Sequence, residues 1–328
     1  MKIDTEQYAR DFSNEVLLDL ADNFFQAEID GDFSFLNYYN QRPIIIIGNH
    51  AGAGLSWDNI IFDALFLRLT SELTGRGIKL SRLIHARLYD DQVRPFLLKN
   101  WWQRMGCLKA NMANFETLCQ QNKIIYISPE GARGMIKGAC NKNRVQRYSS
   151  SFIYMAKKYN AIIVSMAVIN SEYLLPAARM NRSFNTWLET NFSIPYLPIH
   201  PLVISMLLPR FYIVCLPARL LYKVLRICDA AELGENTVAV NRLEAEYFRR
   251  QTEEAIQRND YGLLKAINMD AVLTNLFSIK KITAAGIYRK FWEFELQRKL
   301  TWIERCYFSC PIIGYYLVKR YMHPKVKR

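Results

Sequence analysis

None of the seven cysteines (Cys107, Cys119, Cys140, Cys215, Cys228, Cys306 and Cys310) belongs to a CxxC pair or lies near a histidine cluster. That spacing gives no metal site and reads as reduced thiols in a cytosol-facing protein. The stretch MKIDTEQYARDF lacks an apolar core of signal-peptide type, so secretion by that route is not expected. A clean membrane span is missing too. Residues 190–209 carry no charge and reach roughly the length of a bilayer span, but Pro195, Pro198, Pro201 and Pro209 break the run. Residues 306–318 are too short to span and meet Lys319 and Arg320 at once, which suits a segment lying in a membrane interface. Repeats and low-complexity tracts are absent.

Acidic residues are few against basic ones, 30 Asp and Glu to 43 Lys and Arg, and they are unevenly placed. Residues 1–40 hold two basic and nine acidic side chains, a net of −7, which leaves +20 of the overall +13 for the remainder. Residues 261–328 hold 13 basic and four acidic side chains. Such an excess fits an anionic partner. In the C-terminal part the positive charge alternates with Trp, Tyr and Phe, a pattern that favours an anionic membrane surface over nucleic acid. The expected location is therefore peripheral or monotopic on the cytosolic face of a membrane.

What is present in abundance is apolar surface: 51% of 328 residues are hydrophobic, enough for a sizeable core. Apolar spacing in residues 4–29 predicts an amphipathic helix on an acidic segment, with Phe12, Val16, Leu17, Leu20, Phe24 and Phe25 on one face. Strands are expected at 44–48, 79–84, 124–128, 161–169 and 210–216. Helices are expected at 60–73, 94–105, 112–121, 150–158 and 236–258. Strands alternating with helices predict an α/β fold with a mainly parallel sheet flanked by helices. The composition divides the chain into an acidic N-terminal helix at 1–40, a central domain at 41–259 and a basic, aromatic C-terminal extension at 260–328.

Two of the expected strands end in chemistry. The run IIII leads into GNHAGAGLSWDN, which puts His50 just past the carboxyl end of a buried strand and Asp58 within reach along a Gly-rich turn. The run IIYI leads into SPEGARG. There Pro129 fixes a turn, Gly131 lets backbone N–H groups approach a ligand, and Arg133 offers a fork of donors to phosphate or carboxylate. Lys137, Lys142, Arg144 and Arg147 extend the positive charge, the last three as a phosphate funnel or as a solvated loop. In open α/β sheets this edge is where ligands bind.

The pair NH…D and PEG-R resembles the glycerolipid acyltransferase superfamily, which includes lysophosphatidate and glycerol-phosphate acyltransferases. Asn49, His50 and Asp58 match its first block, and Ser128 to Arg133 match its third. GCLKANMANFETL resembles the second block, with Lys109 the nearest cation where an arginine is usual. NAIIVSMAVIN resembles the fourth. The blocks fall in order over residues 40–220. The usual four-residue spacer between His and Asp is here seven residues long.

The resemblance implies transfer of a fatty acyl group from acyl-CoA or acyl carrier protein, as co-substrate, to the hydroxyl of a lysophospholipid, with no cofactor and no metal. His50 would act as general base with Asp58 holding its other ring nitrogen, since an alcohol is a poor nucleophile until its proton is taken. Glu130, Gly131, Arg133 and Lys109 would bind substrate. Two alternatives stay open: a neutral mono- or diacylglycerol acceptor, and a catalytically silent lipid-binding protein of the same fold.

Overall fold

The computed structural model describes residues 4–50, 56–90, 99–135, 137, 141–176, 179, 181–192, 199, 215–277 and 284–308. Its centre is β2 (Ile44–Gly48), buried along its whole length. Four consecutive isoleucines suit that position, because a strand covered on both faces has no polar side to give. Around it the described strands are β1 (Glu28–Asp30), β3 (Ser81–Ile84), β4 (Leu108–Lys109), β5 (Ile124–Ile127), β6 (Ile162–Ile169) and β7 (Leu221–Asp229). They form one sheet in the order β1-β7-β6-β2-β5-β3-β4. Every pairing is parallel except β6 with β7. The register places Ile44 beside Ile124 on one flank and Ile162 on the other.

Alternation along β2 splits the core. Ile44 and Ile46 pack in one cluster with Phe62 and Phe66 of the helix Trp57–Thr74. Ile45 and Ile47 pack in the other with Phe115, Phe152 and Phe248, from the helices Met112–Gln120, Ser151–Tyr159 and Val238–Arg258. The expected α/β layering, a mainly parallel sheet between helices, is what the chain adopts.

The acidic N-terminal segment is helical from Thr5 and continues through two π turns to Phe24. Its six expected apolar positions are all buried. Phe12 stacks on Phe291 at 5.4 Å and meets Phe294 and Trp101 edge-on at 5.2 and 5.5 Å. This joins the segment to the helix Ala284–Leu296 on the Ile44/Ile46 face. Its acidic residues meet cations of the basic body: Asp22 pairs with Arg68 at 2.8 Å, and Asp19 pairs with Lys290. Residues 28–30 then enter the sheet as β1.

The strand expected at 210–216 falls mostly outside the described residues. Cys215 and Leu216 are not in a strand, and the next strand in the chain is Leu221–Asp229. Lys223 and Arg226 interrupt its apolar pattern, which is tolerated because most of its side chains are only half-buried. Of the helix expected at 94–105, residues 94–98 lie outside the described part, and Trp101–Arg104 is helical. The proline-broken run at 190–209 and the expected interfacial segment at 306–318 also lie largely outside it.

At the amino edge of the sheet, Arg42 ties three strands together. Its guanidinium donates to both Asp229 oxygens at 2.6 and 2.7 Å and to Asn160 at 2.7 and 2.8 Å. The hydrogen bonds from Arg42 hold the Asp229 carboxyl down to about 2, below the ~3.9 of an unfolded aspartate. Its stabilisation is therefore present above pH ~4 and lost as pH falls towards ~2. Asp229→Asn should lower the urea midpoint at pH ~6, and the gap to wild type should close as denaturation is repeated down to pH ~2.5.

Candidate active site

β2 and β5 are parallel neighbours in register, with Ile47 beside Ile127. Their loops consequently leave the same sheet edge side by side. Asn49, fully buried, extends the ladder with its side chain: Nδ2 donates to the Val168 carbonyl at 3.1 Å, and Oδ1 accepts from the Val168 N–H at 2.7 Å. That clamp on β6 fixes where His50 begins.

The His50 backbone N–H donates to Glu130 Oε1 at 2.8 Å, and Glu130 Oε2 accepts from the Gln146 N–H at 2.6 Å. Glu130 is only 4% exposed. Gly131 turns the chain after it at φ +59°, and its N–H donates to the Ser128 carbonyl at 2.9 Å. Gly134 closes over the pair. A Cβ there would stand 2.7 Å from His50 Cβ and 3.0 Å from Glu130 Cβ, so this contact needs a residue without a side chain.

The seven-residue spacer still brings the dyad together. Asp58 lies in the first turn of the helix Trp57–Thr74, two residues past the cap position Ser56. The partial positive charge of a helix N-terminus favours its carboxylate there. The Tyr222 hydroxyl donates to the Asp58 carbonyl, which fixes that turn against β7. The Asp58 side chain is fully buried, and its Oδ2 lies 3.4 Å from His50 Nδ1. The imidazole is 12% exposed, leaving Nε2 as the nitrogen that Asp58 does not hold. A nitrogen so placed can take a proton from a hydroxyl while Asp58 stabilises the imidazolium that results.

The remaining expected residues are distributed differently. Arg133 is exposed and makes no ion pair among the described residues. Lys109 is on β4, three strands from β2 and so roughly 14 Å away at about 4.8 Å per strand, and it pairs with Asp90 at 2.8 Å. Glu130 spends both oxygens on backbone N–H groups, as a brace between loops. Among the basic loop residues, Lys142 is engaged by Asp260 at 3.1 Å, while Arg144 and Arg147 are exposed. Among the described residues no group of His, Cys, Asp and Glu is arranged to hold a metal.

Sequence reasoning passes over two features, Asn59 and Gln146, and reads Lys137 only as part of a positive field. Asn59 Nδ2 lies 3.1 Å from His50 Nδ1. Lys137 is buried and paired with Glu172. Gln146 supplies the second N–H to Glu130. Asn59 sits one residue beyond a motif position, which is the only signal the sequence carries for it. For Gln146 it carries none.

No family model matches the chain, and no curated protein matches it. Among solved structures, it is similar to the 1-acyl-sn-glycerophosphate (LPA) acyltransferase PlsC from Thermotoga maritima. The match has a TM-score of 0.46 and 12% identity, over 79% of this chain and 83% of that one.

Two substitutions test the brace. Glu130→Gln keeps one acceptor but turns an NH2 towards the other N–H, and should cost about 1–3 kcal/mol in chemical denaturation. Gly134→Ala should cost about 1–3 kcal/mol by overpacking and displace the His50 imidazole signals in NMR spectra. Unshifted His50 signals would show that the close approach is not needed.

Proposed function

We propose that this chain is a glycerolipid O-acyltransferase that moves a fatty acyl group from acyl-CoA or acyl carrier protein to a lysophospholipid hydroxyl. The observation that carries the reading is the buried Asp58 carboxylate 3.4 Å from His50 Nδ1, at the sheet edge shared with the PEG-R loop. His50 Nε2 takes the hydroxyl proton as the acceptor oxygen attacks the thioester carbonyl. The tetrahedral oxyanion collapses, the ester C–O bond remains, and the C–S bond breaks. The departing thiolate receives the proton from the imidazolium, so the enzyme returns to its starting state with no covalent intermediate.

The exposed Arg133 suits the acceptor's phosphate at the mouth of the site, and Gly131, whose N–H is spent on the Ser128 carbonyl, holds the turn that presents it. Acceptor and product are lipids, so the enzyme works at a membrane surface, peripherally and on the cytosolic side. No helix among the described residues is long and apolar enough to cross a membrane, and the net charge of +13 favours an anionic surface. A neutral mono- or diacylglycerol acceptor is the second reading. It is favoured by the buried Lys137, whose charge Glu172 already neutralises.

Purified protein incubated with radiolabelled acyl-CoA or acyl carrier protein and a panel of lysophospholipids and neutral glycerides separates these readings. Labelled lysophospholipid product is expected, with loss of roughly 10²–10⁴-fold in His50→Ala. Arg133→Ala should raise KM for a phosphorylated acceptor and leave a neutral one unaffected. A folded His50→Ala protein that still turns over would overturn the base assignment, and no product from any acceptor would leave a lipid-binding protein.

A further inference from the structure

The acyltransferase reading needs His50 in one tautomer, with hydrogen on Nδ1 and a lone pair on Nε2. Asp58 is one determinant, but at 3.4 Å its Oδ2 is a long partner. Asn59 Nδ2 is nearer to the same nitrogen, at 3.1 Å, and its Oδ1 lies 3.5 Å from Ser128 Oγ. Asn59 is 7% exposed. Its backbone carbonyl accepts from the Arg82 guanidinium, itself buried and paired with Asp63 at 2.6 Å, so the residue is held from behind.

An amide nitrogen facing Nδ1 calls for a lone pair there and sends the imidazole hydrogen to Nε2, the tautomer that cannot act as base. It would also set that lone pair against the Asp58 carboxylate. Amide oxygen and nitrogen have nearly the same shape, so the hydrogen-bond network decides which faces the ring. An acceptor-only carboxylate beside Nδ1 requires a hydrogen on it. We infer that Asn59 is a positioning residue whose amide turns its oxygen to the Nδ1–H, joins Asp58 in a two-acceptor cradle, and gives its own N–H to Ser128 Oγ. The half-turn exchanges two atoms in place and leaves the separations nearly unchanged. The hydroxyl of Ser128, able to accept or donate, takes the turned amide's N–H, while the Asp58 carboxylate sets the sense. Asn59 thus ties the PEG-R loop to the tautomer of the base.

Nitrogen-15 NMR of histidine-labelled full-length protein, with His50 assigned by comparison with His50→Ala, reads the tautomer without any substrate. Under alkaline conditions where imidazole is neutral, wild type should show hydrogen on Nδ1. Asn59→Leu should lose that preference and drop kcat by about tenfold or more with little change in KM. Asn59→Asp, which offers oxygen only, should restore both. If the added carboxylate unfolds the chain by circular dichroism, Ser128→Ala replaces it and should give mixed tautomers. Full Nδ1–H in Asn59→Leu, or a folded Asn59→Asp no better than Asn59→Leu, overturns the inference. If wild type forms no acyl product, the spectra still decide the role of Asn59, and only the acyltransferase reading falls.

Discussion

A single buried carboxylate organises the carboxyl edge of this sheet. Glu130 accepts one backbone N–H from His50 and another from Gln146. A carboxylate removed from water is costly unless each oxygen finds a donor. Here the donors are backbone groups of two segments that would otherwise diverge, one after β2 and one beyond the PEG-R loop. Satisfying the charge and closing the site are therefore one event. Gly134 follows from the same contact, since the loop must pass within a methyl group's distance of both residues.

The sheet separates holding from working. At its amino edge Arg42 binds Asn160 and Asp229, which fixes the starts of β2 and β6 and the end of β7. At its carboxyl edge Asn49 repeats the function with an amide on Val168. Burial alone does not set the register of β2, because a one-residue slip would exchange one isoleucine for another; the polar clamps at its two ends do. His50 and Asp58 sit on different elements, a strand end and a helix start, and the proposed reaction would need that rigidity to keep the pair in place.

Much of this was legible in the sequence, and the physical reason is burial. Runs such as IIII and IIYI admit few other interpretations, and polar residues placed at their ends have nowhere to go but the sheet edge. The N-terminal helix was equally readable from its apolar period, but its place in the core was not. That depends on Phe291 and Phe294, nearly 280 residues along the chain. β7 escaped because a half-buried strand shows no clean alternation. Lys109 was assigned by proximity to a motif, whereas the strand order carries it to the far side of the sheet. Asn59 was hidden because helical spacing alone does not show whether the residue after an aspartate shares its partner.

The electrostatics of the pocket follow from this packing. Three buried carboxylates, Asp58, Glu130 and Glu172, lie within electrostatic reach of one another, and Lys137 is a buried cation paired with Glu172. Burial pushes the Glu172 carboxyl up; Lys137 draws it down, and Glu130 and Asp58 push it up again. The interior thus leans negative, while Arg133, Arg144 and Arg147 put positive charge on exposed positions of the segment after β5. A negative interior stabilises an imidazolium as it forms, while it disfavours drawing a phosphate down to the base. An anionic acceptor would hold its charge at the rim and extend only its hydroxyl inward. In the proposed reaction the same charge pattern would select the orientation of the acceptor and the direction in which the proton moves.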